Sequence, residues 1–261
     1  MNCTLLGTSA ANGIPAPLCN CKYCKTEERT RPSLLVESND TTLLFDVSPD
    51  IRQQSKGRFT DIDAIFLTHH HHDHSTGLHE IKHTTLSEDV VDIEDESNDI
   101  HSWLGQTHNI YCSKGTRNHL DFSMGYIMKD DSMNIIEIDD GDKITIGDID
   151  VTPFIAEHSI GYLGYLIESN GDSVVYHPDY GQLRTEIRFN DINTLVTDGS
   201  SALGYDIHGT KSQLKNLINI IDADNLLFTN VSEHISQTDT NELLNRGKNW
   251  DDAVVSDGYT F

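Results

Sequence analysis

The sequence predicts a layered α/β fold, with sheets packed face to face and helices on the outside. Three observations point there. Short runs of four to seven β-branched or leucine-rich residues, ended by Gly, Asn or Asp, recur through both halves of the chain. Amphipathic helical patterns are fewer and fall between or after these runs. With 261 residues, 36% of them hydrophobic, the chain is long enough to bury one large core.

In order, the strand candidates are Cys3–Leu6, Leu34–Glu37, Thr42–Asp46, Ala64–Thr68, Asn109–Cys112, Ile135–Ile138, Lys143–Ile146, Asp150–Ile155, Tyr162–Glu168, Ser173–Tyr176, Thr194–Thr197 and Leu226–Thr229. Helical patterns cover Asp50–Lys56 after Pro49, Gly77–His83, Thr116–Phe122, Leu183–Phe189 and Lys211–Ile221. In the last, Leu214, Leu217, Ile218 and Ile221 fall at i, i+3, i+4 and i+7, one face of a helix. No repeat of fixed period and no linker divides the chain, so one domain over residues 1–261 is expected. Ser87–Asp99 (SEDVVDIEDESND) is acidic, lacks a periodic apolar face and reads as an exposed insertion.

The charge is strongly one-sided: 42 acidic residues oppose 18 basic ones, for a formal net charge of −24. Aspartate outnumbers glutamate 29 to 13, and the acids are spread along the chain rather than gathered in a tail. Such a surface suits concentrated salt, where a Debye length of about 3 Å at 1 M screens self-repulsion, and it points to a halophilic source. It repels polyphosphates at ordinary ionic strength. No basic arm for RNA is present either, so a nucleic-acid partner is not expected. No 18-residue apolar run is available to cross a membrane. Met1–Gly13 lacks the basic start and long apolar stretch of a secretory signal, and a cytoplasmic location is expected.

Of the five cysteines, Cys19, Cys21 and Cys24 form a C-x-C-x-x-C cluster that fits metal binding better than a disulfide framework. Cys3 and Cys112 lie in apolar runs and read as small core residues. The densest signal is Leu67–Leu78 (LTHHHHDHSTGL), which places five of the fourteen histidines within six positions, directly after the apolar run AIFLT. A purification tag would sit at a terminus, and Asp73 interrupts this run. Neutral imidazoles and a carboxylate in one short loop can converge on cations, and their N/O donors suit zinc, manganese or iron. In an extended segment His69 and His71 point the same way, leaving Asp73 and His74 to a second ion one turn further on.

The pattern H-x-H-x-D-H after an apolar strand, here His69, His71, Asp73 and His74, resembles the signature of the metallo-β-lactamase superfamily. That resemblance implies a four-layer αββα sandwich, with metals held at one edge of the two sheets by loops that follow strands. It also implies His158, in AEHSIGYLGYLI, as the next ligand, and Asp179, in SVVYHPDYG, as a bridging carboxylate. His177 is a rival there, but a carboxylate can bridge two cations and an imidazole cannot. Asp46, closing the run TLLFD, would anchor the metal loop from behind.

The segment LLGTSAANGIPAPLCNCKYCK is similar to the start of the PhnP-like phosphodiesterases, whose C-x-C-x-x-C cluster holds a structural zinc. On that likeness Cys19, Cys21 and Cys24 hold zinc, with His234 as the fourth tetrahedral ligand. His208, a non-ligand histidine at the start of a helix, would donate a proton to the departing alkoxide. The chain departs from the family at Thr229–Asn230, where a threonine-histidine pair normally supplies a ligand of the second active-site metal. Either Asn230 coordinates weakly or His234 turns into the active site; the residues leave both open.

The reaction so implied is hydrolysis of a small phosphodiester, a cyclic ribose phosphate foremost, by hydroxide generated at two divalent ions, zinc or manganese. His69, His71 and His158 would hold one ion, Asp73 and His74 the other, and Asp179 both, with Asp73 and His208 as the catalytic candidates. Three other readings use the same fold: hydrolysis of a thioester or lactam, tRNA processing, and a binding protein that has lost its second metal, for which Asn230 speaks. A homodimer is compatible with the sequence.

Overall fold

The computed structural model describes residues 1–59, 61–82, 107–183, 189–202, 208–231, 253 and 255–261. The first sheet runs in chain order through β1 (Asn2–Gly7), β2 (Ser33–Ser38), β3 (Thr41–Phe45), β4 (Ala64–Phe66), β5 (His108–Cys112) and β6 (Met133–Glu137). The second runs through β7 (Ile144–Ile146), β8 (Ile149–Ile155), β9 (Leu163–Ser169), β10 (Asp172–His177), β11 (Thr194–Asp198) and β12 (Asn225–Thr229). A last strand, β13 (Tyr259–Thr260), returns to the free edge of β1.

Both sheets begin antiparallel and end parallel: β1 to β3 and β7 to β10 are antiparallel, whereas β3 to β6 and β10 to β12 are parallel. Parallel neighbours need crossovers, and crossovers place helices on the outer faces. On the first sheet these are α2 (Ile51–Gln54), α3 (His72–Ser75), α4 (Leu78–Ile81), α5 (Lys114–Ser123) and α6 (Gly125–Met128). On the second they are α7 (Gly199–Ala202) and α8 (Lys211–Ile221), while α1 (Lys22–Thr26) lies in the β1–β2 connection.

Period-two alternation sorts the strand residues into layers. Leu5, Val36, Phe45 and Phe66 face Val151, Tyr165, Ile167 and Tyr176 between the sheets. Their neighbours Leu6, Leu35, Leu44 and Ile65 turn outward against Ile51, Leu78, Leu120 and Ile127. On the far side Val175, Leu195 and Phe228 meet the Leu214, Leu217, Ile218 and Ile221 face of α8. The result is the αββα sandwich. Helix α8 opens with a capping box between Thr210 and Gln213 and ends with Asp222 in the left-handed region at φ 45°.

Every expected strand is present, with ends shifted by a few residues at most. β13 is not expected from sequence, because two exposed residues carry no alternation. The short helices α1, α6 and α7 have four or five residues, too few for a 3.6-residue period to register. The helix expected over Leu183–Phe189 falls mainly on residues 184–188, and the acidic insertion on 87–99, both outside the described residues. Among the described residues no helix is long and apolar enough to cross a membrane.

Leu217, 2% exposed, sits at the centre of the α8 contact. Leu217→Ala should destabilise the protein by about 2–5 kcal/mol, read as a lower urea midpoint at unchanged slope.

Candidate metal centre

The parallel strands all deliver their C-terminal ends to one edge of the sandwich, and the candidate residues follow those ends. Asp46 comes after β3, His69 to His74 after β4, Asp179 after β10, Asp198 ends β11, and Asn230 comes after β12. His158 follows β8.

Asp46 leaves β3 in the left-handed region at φ 60°, a conformation aspartate tolerates better than most residues. Its wholly buried carboxylate accepts from the Thr68 backbone N–H (2.8 Å) and hydroxyl (2.9 Å), from Nδ1–H of His74 (2.7 Å) and from the Tyr176 hydroxyl (3.3 Å). Burial raises the Asp46 pKa above the usual carboxylate range. The loop is stitched down by Val47 N–H to the His74 carbonyl (2.7 Å) and Gly77 N–H to the Val47 carbonyl (2.9 Å). A Cβ on Gly77 would stand 2.1 Å from the Ser48 carbonyl oxygen, so only glycine lets the two loops approach this closely.

These bonds fix two tautomers. With Nδ1–H of His74 donated to Asp46, Nε2 carries the lone pair. The Thr68 hydroxyl donates to Asp46 and accepts from Nδ1–H of His69 (2.9 Å), so Nε2 of His69 is also a free base. Burial pulls the pKa of His69 well below the usual value and lowers that of His71, keeping both rings neutral. For His74 burial works the same way but is outweighed by Asp179, Asp73 and Asp46, which raise its pKa well above normal. Three carboxylates around one buried ring call for a positive charge, and a cation at Nε2 meets that demand as a proton would.

The ligand atoms of His69, His71, His158 and Asp179 all lie within 4.8 Å of one another. Nε2 of His158 is 3.2 Å from Nε2 of His69, 3.3 Å from Nδ1 of His71 and 3.1 Å from Oδ2 of Asp179. The other oxygen of Asp179 faces a second group: Nε2 of His74 is 3.4 Å away, and the Asn230 amide donates to it. Asp73 Oδ2 closes that group at 3.4 Å from Nε2 of His74. Among the described residues Nε2 of His74 is buried with no hydrogen-bond partner, a condition that native interiors rarely leave unexplained. Converging neutral imidazoles, an orphaned buried nitrogen and surrounding carboxylates fit divalent N/O coordination.

His208 stands at the mouth of this cluster, its ring 4.7 Å from that of His158, and donates Nδ1–H to the buried Asp198 (2.9 Å). Burial opposes the charged ring, but Asp198 and Asp179 outweigh it and raise the His208 pKa. His177 does not belong to the donor set: Nδ1 bonds the Tyr162 hydroxyl (2.7 Å) and Nε2 the Gly181 carbonyl (3.3 Å), and burial pushes its pKa down to about 4. Asn230, 2% exposed, does reach the second group, with its amide nitrogen toward Asp179. Cys19, Cys21 and Cys24 gather their sulfurs within 4.8 Å of one another, and His234 lies outside the described residues.

Sequence reasoning misses Asp198, Thr68, Tyr162 and Tyr176. A signal for Asp198 exists: TLVTD ends in an aspartate after an apolar strand, as TLLFD does at Asp46. The tyrosines sit inside apolar runs and give no such sign.

Residues 41–228 match the Beta-lactamase superfamily domain. The chain belongs to the beta-lactamase superfamily. Ribonuclease Z of Methanopyrus kandleri is 30% identical over 151 residues, covering 55% of this chain and 46% of that protein. The chain spans less than half the length of the first curated relatives it matches. Two solved structures superpose over all of this superfamily member. A diphosphatase of the PhnP family does so with TM-score 0.79, 21% identity and 96% of its chain covered. Zn²⁺-bound PqqB from Methylobacterium extorquens does so with TM-score 0.76, 19% identity and 99% covered. These likenesses show the metallo-β-lactamase fold.

Asp46→Asn tests the anchor. An asparagine that still accepts from Thr68 turns its amide N–H toward His74, which moves the ring proton to Nε2 and blocks that donor. Affinity for Zn²⁺ or Mn²⁺ should fall about 10–100-fold, measured by chelator competition, with circular dichroism unchanged.

Proposed function

We propose that this chain is a metal-dependent phosphodiesterase acting on a small phosphodiester, a cyclic ribose phosphate foremost, with two divalent ions, zinc or manganese. The observation that carries the reading is the Asp179 carboxylate: one oxygen turns to His69 and His158, the other to His74 and Asn230, beside the His208–Asp198 pair.

When bound, such a pair of ions supplies Lewis-acid charge for phosphate oxygens and lowers the pKa of water. His69, His71 and His158 would hold one, Asp73 and His74 the other, with Asp179 spanning them. Burial of Asp73 opposes ionisation, but His74 beside it outweighs this and holds its pKa at about 2, so the carboxylate stays available at neutral pH. Asp198 takes Nδ1–H of His208 and orients the ring, leaving Nε2 as the proton donor to the departing ribose oxygen. A cavity of about 860 Å³ opens beside this ring, lined by His158, Tyr162, Lys114 and His208. Asp139, Asp140 and Glu157 also line it, so its charge disfavours a polyanion and keeps a small ester ahead of tRNA. Near the other end of the chain, Cys19, Cys21 and Cys24 would hold a structural zinc, with His234 as fourth ligand.

Metal analysis combined with hydrolysis of 2′,3′-cyclic nucleotides and ribose 1,2-cyclic phosphate in molar KCl tests the proposal. His208→Ala should slow turnover by about 10²–10⁴-fold at unchanged metal content. Full activity in that variant rules out the acid role, and loss of metal makes His208 a ligand instead.

A further inference from the structure

We infer that Tyr162 is a positioning residue for Asp179, acting with His177 in a directed hydrogen-bond chain that ends on the Asp179 backbone. The inference rests on the metal-centre reading above and concerns how this chain's own residues hold the carboxylate between the two donor groups.

The direction of the chain is set at one end. The Gly181 carbonyl only accepts, so Nε2 of His177 (3.3 Å away) carries the ring proton. Nδ1 is then an acceptor, and the Tyr162 hydroxyl donates to it at 2.7 Å. With its proton committed, the tyrosine oxygen presents a lone pair to the Asp179 backbone N–H at 3.4 Å. The two side chains thus hold the segment from His177 to Gly181 at both ends and in its middle.

The aromatic ring of Tyr162 does a second job. Its centroid is 5.3 Å from the rings of both His69 and His158, so it forms one wall behind two of the candidate nitrogen donors while its hydroxyl fixes the oxygen donor. Gly181 supplies the remaining constraint. A Cβ there would stand 1.2 Å from the Glu157 carbonyl oxygen, and Glu157 N–H donates to the Gln182 carbonyl at 2.8 Å. The loop bearing Asp179 is therefore registered on the segment that bears His158. A phenylalanine would fill the same space as Tyr162. The buried hydroxyl carries a desolvation cost that only its two bonds offset, so its presence points to bonding rather than packing.

Tyr162→Phe removes one oxygen and keeps the ring. Expected is a loss of about 10–100-fold in Zn²⁺ affinity, titrated against a chelator in molar KCl, and a changed visible absorption spectrum of cobalt(II)-loaded protein. The metal-free protein also loses these two buried bonds, so its thermal midpoint should fall by several degrees; the cobalt(II) spectrum is the readout that a loss of stability alone would not move. His177→Phe is an independent arm with the same expectation. Because both variants break one chain, the double variant should cost no more than the larger single loss. Wild-type affinity and spectrum in either single variant, or additive losses in the double, overturn the inference while the metal-centre reading stands. A wild-type chain that takes up no metal overturns both.

Discussion

A single buried carboxylate organises this edge of the sandwich. Asp46 has no exposure to solvent, and an ionised group in that position is tolerated only when its lone pairs are filled. Four donors fill them, from the Thr68 backbone and hydroxyl, His74 and Tyr176. These donors come from the loop after one strand of the first sheet and from a strand of the second, so satisfying one charge ties the two sheets together where the candidate centre lies. The same bonds choose the tautomers of His74 and, through Thr68, of His69. Burial of the carboxylate and the choice of histidine tautomer are one arrangement here.

The next shell repeats the device. Asp198 ends a strand and receives Nδ1–H of His208, as Asp46 follows a strand and receives Nδ1–H of His74. In both cases a carboxylate at the end of a parallel strand sets which nitrogen of a histidine faces the site. Parallel strands make this economical, because all their C-terminal ends point to the same edge and each loop can contribute a group. The cost is a concentration of negative charge: Asp46, Asp73, Asp179 and Asp198 are all buried around the same histidines. Bound divalent cations would offset that charge, and the same carboxylates raise the His74 pKa.

The acidic residues of the chain as a whole and those of the interior are distinct sets. The excess of aspartate is spread along the whole sequence rather than gathered at the candidate centre. Of the four interior aspartates, Asp46, Asp179 and Asp198 are held by named donors, and Asp73 lies beside His74. The cavity beside His208 is lined by Lys114 together with Asp139, Asp140 and Glu157, so its lining is not basic.

Much of this was legible in the chain. Short β-branched or leucine-rich runs bounded by Gly, Asn or Asp place β1 to β12, because strand preference and turn chemistry are local and need no tertiary partner. The loop His69 to His74 was legible because its donors are adjacent in sequence. His158 and Asp179 were legible only through family resemblance, since their distance along the chain says nothing of their distance in space. What the tertiary structure alone decided is the pairing: which nitrogen of each histidine is free, that His177 spends both nitrogens on Tyr162 and Gly181, and that Asn230 turns its amide to Asp179. Those are properties of hydrogen-bond direction between segments far apart in the chain. A sequence specifies which residues can donate or accept, and only the folded arrangement settles which of them meet.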